Sequence, residues 1–118
     1  MLSTTIYERG HVVVVNVLFT GQGGAKRRPA VVVSVDAFHR TLPDLIVCPI
    51  SSQQRFYTRP GGGDHPLRHW KDLGLRHPST ARLSNLMAVE KRLIQRVLAP
   101  LHADLAHVEQ GLREVFGL

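Results

Sequence analysis

The chain has 118 residues, 43% of them hydrophobic, a length that supports one hydrophobic core rather than two. We therefore expect a single domain spanning residues 1–118. The lone cysteine, Cys48, excludes an internal disulfide and the zinc-site spacings that need several cysteines. No apolar stretch approaches the length of a membrane span and no export signal is recognisable, so we expect a cytoplasmic protein with no membrane partner.

The net charge is +6, and it is concentrated in the middle of the chain. Between Lys26 and Arg82 there are ten Lys and Arg residues against four Asp, whereas the charges outside this segment cancel. Most of these cations are arginine, which pairs bidentately with phosphate and stacks on nucleobases. The asymmetry favours binding of a polyanion, most simply single-stranded RNA, over an evenly charged surface.

The first elements in chain order are two strands joined by a glycine-rich loop. The β-branched run Val12–Leu18 predicts the first strand. The loop Gly21–Ala25 has no Gly-Lys-Ser/Thr ending, so we interpret it as a mobile lid rather than a phosphate-binding loop. Pro29 is expected to open the second strand, Ala30–Val33, because proline is tolerated at the start of a strand.

Turn residues divide the middle of the chain. Ser51–Gln54 is typical of a polar turn, and the Gly and Pro content of Thr58–Asp64 excludes regular structure. The other elements predicted before the C-terminal segment are a helical turn at Val35–Arg40 and strands at Leu45–Ile50, Pro66–Leu67, Ser79–Leu86 and Leu93–Leu98.

The C-terminal segment has a helical period. Its apolar residues recur at spacings of three and four and so share one stripe of an amphipathic helix. Pro100 before this stripe and Gly117 after it fit the usual ends of helices. Short strands followed by one terminal helix predict a mainly β fold, a small curved antiparallel sheet or partly open barrel. The stripe consists of Leu101, Leu105, Val108, Leu112, Val115 and Phe116.

A series of short motifs follows in a characteristic order. They are Glu8-Arg9-Gly10, Arg27–Ser34, Asp36–Phe38, Val47–Ser52, Gly74–Ser79 and the C-terminal segment Leu101–Leu118. Together they resemble the MazF/PemK (Kid-like) toxins of toxin-antitoxin systems, almost from end to end of the chain.

The resemblance implies an SH3-like (MazF/CcdB-type) barrel that forms a homodimer. It also implies metal-independent, sequence-specific cleavage of single-stranded RNA, in practice mRNA, without a cofactor. The implied partner is an acidic, MazE-like antitoxin, and operator DNA would be contacted only through the complex with that antitoxin.

Cleavage by a neighbouring 2′-hydroxyl needs a proton acceptor, help for the departing 5′-oxygen and positive charge at the crowded phosphate. Arg28 matches the family's catalytic arginine and is our candidate for stabilising the phosphate charge. Ser51 occupies the position of the family's catalytic threonine, although a turn-capping role is compatible with it. Arg82 matches an arginine that has a part in acid catalysis in the Kid branch of the family. The alternative is that Arg82 is a charged side chain on the outward face of a strand.

The polar and aromatic residues around these positions are candidates for holding RNA. Phe56 and Tyr57 are placed beside arginines and are suited to stacking on unpaired bases. The predicted RNA-binding residues are Lys26, Arg27, Ser52, Gln53, Arg55, Phe56, Tyr57 and Arg59.

The sequence departs from the family where carboxylates are expected. Gly23 replaces a glutamate of the glycine-rich loop, and Ser84, followed by Asn85, replaces the aspartate that serves the Kid branch as a base. Histidines titrate near neutral pH and are the available substitutes, but no motif selects one of them. The candidates within the basic region are His39, His65, His69 and His77, and we expect no metal site among them.

The missing carboxylates leave two alternatives open. One is a member of the same fold that has lost cleavage and acts by binding nucleic acid. The other is a toxin of a protein target such as gyrase, which would act independently of Arg28.

Overall fold

The computed structural model of the protein describes residues 7–18 and 25–118. These residues form seven β-strands and three α-helices, linked in places by short 3-10 turns. In chain order they are β1 (His11–Leu18), β2 (Ala25–Val32), α1 (Asp36–Thr41), β3 (Asp44–Ser51), α2 (Gln54–Thr58), β4 (Asp64–Pro66), β5 (Thr80–Arg82), β6 (Met87–Glu90), β7 (Ile94–Pro100) and α3 (Leu105–Phe116).

The strands form one curved antiparallel sheet. Its order is β4-β5-β3-β2-β1-β7, and β6 pairs with the first half of β3. Within the described residues the sheet does not close, since β4 and β7 end the strand order. The predicted fold, a small curved antiparallel barrel with a C-terminal helix, is confirmed.

Both faces of the sheet are buried, and strand alternation divides the core between them. On β1, Val12 belongs to one cluster of buried side chains, whereas Val13 and Val15 belong to another. The same alternation places Val31 of β2 in the first cluster and Val32 in the second. Successive side chains of a strand point to opposite faces, which explains why consecutive residues of β1 and of the C-terminal half of β2 are apolar.

Helix α3 covers the first of these clusters. Leu101 and Val108 are buried there, as the predicted stripe requires, whereas Val115 and Phe116 at the far end are exposed. The helix itself begins only at Leu105, after a 3-10 turn. It ends as predicted at Gly117, whose positive φ suits a helix C-terminus. No helix in residues 7–18 and 25–118 has the length and apolar character needed to span a bilayer.

The second strand begins earlier than predicted, at Ala25 rather than Ala30. Pro29 therefore lies inside β2, opposite Val14 of β1. Pairing of β2 with β3 involves only Ala30 to Val32, so β2 is an edge strand on its β3 side at Pro29. A proline is tolerated there because its missing N–H faces no partner strand. The predicted lid at Gly21–Ala25 lies outside the described residues except for its last residue.

The predicted strand Ser79–Leu86 is interrupted. A 3-10 turn at Leu83–Asn85 separates β5 from β6. Both strands pair with the same edge of β3: β5 with Ile50 and Ser51, and β6 with the residues from Asp44 to Val47. The turn connects these two pairings.

Candidate functional site

A cleft of about 330 Å³ lies where β2, β3, β5 and α2 meet. Its apolar floor comes from the second core cluster and includes Val15, Ala30 and Val47. Its polar lining consists of Arg28, Ser51, Gln53, Arg55, Arg82 and Asn85. The cleft thus combines an apolar floor with several cations, which suits an anion attached to a flat apolar group.

The cleft brings together the three residues predicted to be catalytic. Arg28 lies on β2 opposite Val15 of β1, and Ser51 is the last residue of β3. Arg82 is the last residue of β5, which pairs with that end of β3. Antiparallel pairing therefore places two guanidinium groups and one hydroxyl around a single opening.

Arg82 is held on two sides. Its Nε donates a hydrogen bond of 2.8 Å to Oδ1 of Asp64. Its guanidinium carbon lies 3.7 Å from the centre of the Phe56 ring, and that of Arg55 lies 4.6 Å from the same ring. The Phe56 ring is therefore in cation–π contact with two arginines, one of them predicted to be catalytic.

Ser51 has the turn contact that its position suggested. Its Oγ accepts a hydrogen bond of 3.2 Å from the backbone N–H of Gln53. A hydroxyl has one donor and two acceptor lone pairs, so this contact leaves the Ser51 O–H able to donate to a phosphate oxygen. Turn capping and phosphate binding are therefore compatible at this residue.

A second cleft, of about 230 Å³, adjoins the first. The two share Arg28, Pro29 and Ile50. The second cleft is lined further by Arg27, Ser52, Arg76, His77 and Ser79. Arg28 thus stands between two basic clefts.

The predicted RNA-binding residues divide accordingly. Gln53, Arg55 and Phe56 line the first cleft, and Arg27 and Ser52 line the second. Lys26, Tyr57 and Arg59 line neither of these two clefts. Sequence reasoning did not select Arg76, although Arg76 lies within the motif Gly74–Ser79. It also did not foresee α2, a helix of five residues with no side-chain cap, which presents Arg55 and Phe56.

The residues at and beside the position of the Kid aspartate do not supply a carboxylate to the first cleft. Ser84 is exposed and is not part of the cleft, whereas Asn85 lines it. Gly23 lies outside the described residues. Among the described residues that line the first cleft there is no Asp or Glu. Asp64, behind Arg82, was not selected by sequence reasoning as a site residue.

Two of the candidate histidines contact other residues within the fold. His39 is buried, with Nε2 hydrogen-bonded to the Ser34 hydroxyl and Nδ1 2.8 Å from the carbonyl oxygen of Tyr7. His65 stacks on His107 at 5.1 Å between ring centres. In the described part of the chain, no three His, Cys, Asp or Glu side chains are grouped so as to hold a metal ion.

Cys48 is a core residue behind the cleft. It is fully buried, and burial raises the pKa of its thiol to about 12; a hydrogen bond with the Arg82 backbone opposes this rise, and the charge of Asp64 adds a smaller one. A thiol in this state is neutral at physiological pH and is neither a nucleophile nor a metal ligand.

Comparison with known proteins identifies the family of this chain. Residues 8–116 match the family described as PemK-like, MazF-like toxin of type II toxin-antitoxin system. The chain belongs to this family. A search of curated protein sequences finds no match to the MazF-like chain.

Solved structures agree with the family assignment. MazF (Form-I) from Deinococcus radiodurans is 23% identical, with 97% of this chain and 99% of that chain covered and a TM-score of 0.72. A chain of MazE-MazF (Form-III) from the same organism is 28% identical, with the same coverage and TM-score. An endoribonuclease in complex with its cognate antitoxin from a mycobacterial species is 17% identical, covering 94% of this chain and 95% of that chain, with a TM-score of 0.71.

Proposed function

We propose that this MazF-like chain is the toxin of a toxin-antitoxin system and a metal-independent endoribonuclease that cleaves single-stranded RNA, including mRNA, at specific sequences. The observation that carries the proposal is the meeting of Arg28, Ser51 and Arg82 in one cleft. Family membership supports it, as does the structural similarity to a mycobacterial endoribonuclease.

In the proposed reaction the 2′-oxygen of a ribose attacks the adjacent phosphorus. The new P–O2′ bond forms as the P–O5′ bond breaks, the proton of the 2′-hydroxyl passes to solvent water, and the departing 5′-oxygen takes a proton from water, which leaves a 2′,3′-cyclic phosphate and a 5′-hydroxyl. Arg28 and Arg82 stabilise the charge that accumulates on the phosphate oxygens, and the Ser51 hydroxyl donates to one of them. The described lining of the cleft supplies charge stabilisation rather than a carboxylate base.

The RNA strand runs across both clefts in this proposal. The scissile phosphate lies at Arg28, which the clefts share, and the neighbouring nucleotide lies in the second cleft near Arg27 and Arg76. Unpaired bases can stack on such an open surface and present their Watson–Crick edges to it, whereas the bases of an RNA duplex are stacked and paired with each other. Single-stranded RNA is therefore the preferred substrate.

The proposed partners are a second copy of the chain and an acidic, MazE-like antitoxin. The structural relatives include a MazE-MazF structure and an endoribonuclease in complex with its cognate antitoxin. An acidic antitoxin segment complements the basic clefts, so it would compete with RNA for Arg27, Arg28 and Arg76.

The decisive experiment is cleavage of a long, unstructured RNA in EDTA by the wild-type protein and by Arg28→Ala. We expect the wild type to cut at one short motif and leave 2′,3′-cyclic phosphate ends. Arg28→Ala should slow cleavage by about 100- to 1,000-fold, as expected when a charge-stabilising donor is lost. The matched control is Arg40→Ala, which removes an exposed arginine of α1 that lines neither cleft and should leave the rate unchanged.

A wild-type protein that binds the RNA with steep salt dependence but leaves it intact would overturn the nuclease proposal. That result would favour a nucleic-acid-binding member of the family, an alternative suggested by the lack of a carboxylate in the described cleft lining. Cleavage by Arg28→Ala at the wild-type rate would remove Arg28 from its proposed role.

A further inference from the structure

Asp64 begins β4 directly opposite Arg82, the last residue of β5. Residues that face each other across an antiparallel pair have side chains on the same side of the sheet and within contact distance. The backbone register therefore brings a carboxylate to Arg82 from a different strand. None of the motifs that resemble the family includes this position.

The Asp64 carboxylate is almost completely buried and both of its oxygens are engaged. Its side chain is 3% exposed. Oδ1 accepts the hydrogen bond from Arg82 Nε, and Oδ2 accepts one of 2.9 Å from the backbone N–H of Gly61. Burying a carboxylate is costly unless it is paired and hydrogen-bonded, so this arrangement depends on Arg82 and on the Gly61 loop together.

The contacts of Arg82 hold its orientation as well as compensating its charge. A guanidinium group is planar and carries five N–H donors, one on Nε and four on the two Nη atoms. The Nε donor is used by Asp64, and the guanidinium carbon lies over the Phe56 ring. Arg82 lines the cleft, but Asp64 does not.

We propose that Asp64 is a positioning residue that orients the Arg82 guanidinium toward the phosphate in the first cleft. The hydrogen bond from Nε to Asp64 and the cation–π contact with Phe56 hold the guanidinium in place, so its Nη donors are positioned for the scissile phosphate before RNA binds. Asp64 does not act as the base, since both of its oxygens are engaged and it lies behind the arginine. The inference rests on the proposed RNA cleavage and deepens it.

Removing the Asp64 charge should separate catalysis from binding. Asp64→Asn keeps the size of the side chain but weakens its hold on Arg82, so kcat should fall by about 10- to 100-fold. Arg82 retains its positive charge and loses its compensating carboxylate. The Kd for an uncleavable RNA with a 2′-deoxyribose at the cut site should therefore be unchanged or lower.

The test is a double-mutant cycle of Asp64→Asn and Arg82→Ala, with rates expressed per folded molecule from urea titrations. If Asp64 acts through Arg82, Asp64→Asn lowers kcat in the wild type and has no further effect in the Arg82→Ala background. The control is Asp104→Asn, a second buried aspartate outside the cleft, which should leave kcat per folded molecule unchanged.

The outcomes distinguish this inference from the function on which it rests. If the wild type cleaves RNA and Asp64→Asn has wild-type kcat, or lowers kcat equally in both backgrounds, the positioning role is wrong and the nuclease proposal stands. If the wild type does not cleave RNA, the nuclease proposal fails and the positioning role fails with it.

Discussion

Two buried aspartates serve two regions of this protein in different ways. Asp64 contacts Arg82, a charged side chain that reaches the cleft. Asp104, 1% exposed and just before α3, accepts hydrogen bonds of 3.1 Å from the backbone N–H groups of Arg68 and His69. Burial of a carboxylate therefore does not by itself mark a functional site. The partner decides whether the carboxylate orients a reactive group or holds a loop.

The largest effect on stability should come from Asp104→Ala. This change leaves the two loop N–H groups without their charged acceptor, and we expect a loss of about 3 kcal/mol in the free energy of unfolding. The measurement is urea unfolding, followed by the cleavage rate per folded molecule, which should not change. A lower rate without a loss of stability would contradict the distinction between the two aspartates.

A somewhat smaller effect is expected where α3 packs against the turn that follows Arg82. A Cβ atom at Gly111 would overlap the Leu83 side chain, which is buried in the core. Gly111→Ala should therefore lower the free energy of unfolding by about 2 kcal/mol, the usual cost of overpacking. Combining it with Leu83→Val should restore part of the loss in urea titrations, and a purely additive loss would contradict the proposed overlap.

The smallest expected effect is a pH dependence of the free energy of unfolding, which arises at His65 near Asp104. Burial lowers the pKa of His65, as does the neighbouring His107; Asp104 opposes this shift, and Arg68 adds a small lowering contribution. The unfolded chain then binds a proton at a higher pH than the folded one, so stability should fall as the pH drops below the ordinary histidine value of 6.5. His65→Asn should weaken this dependence in urea midpoints measured at pH 8 and pH 5. An identical pH dependence in both proteins would rule out His65 as its source.

Much of the fold follows from patterns within single segments. The apolar strand runs predicted β1 and β3, and the three-to-four spacing predicted α3 with Gly117 at its end. The interrupted strand at Ser79–Leu86 was not predictable in this way, because its break reflects pairing with two parts of β3. Helix α2 was missed because five residues without a cap carry no recognisable helical period.

For the candidate site, too, some features were predictable from the sequence and others only from the structure. The concentration of cations and the order of the motifs were sufficient to select Arg28, Ser51 and Arg82, and their roles remain predictions. By itself the sequence determined the apolar strands, the C-terminal helix, the charge of the central region and the resemblance to a toxin family. Only the tertiary structure decided that these three side chains share one cleft and that Asp64 stands behind Arg82. The physical reason is that such contacts depend on the register between strands, which joins residues far apart in the chain and leaves no local period in the sequence.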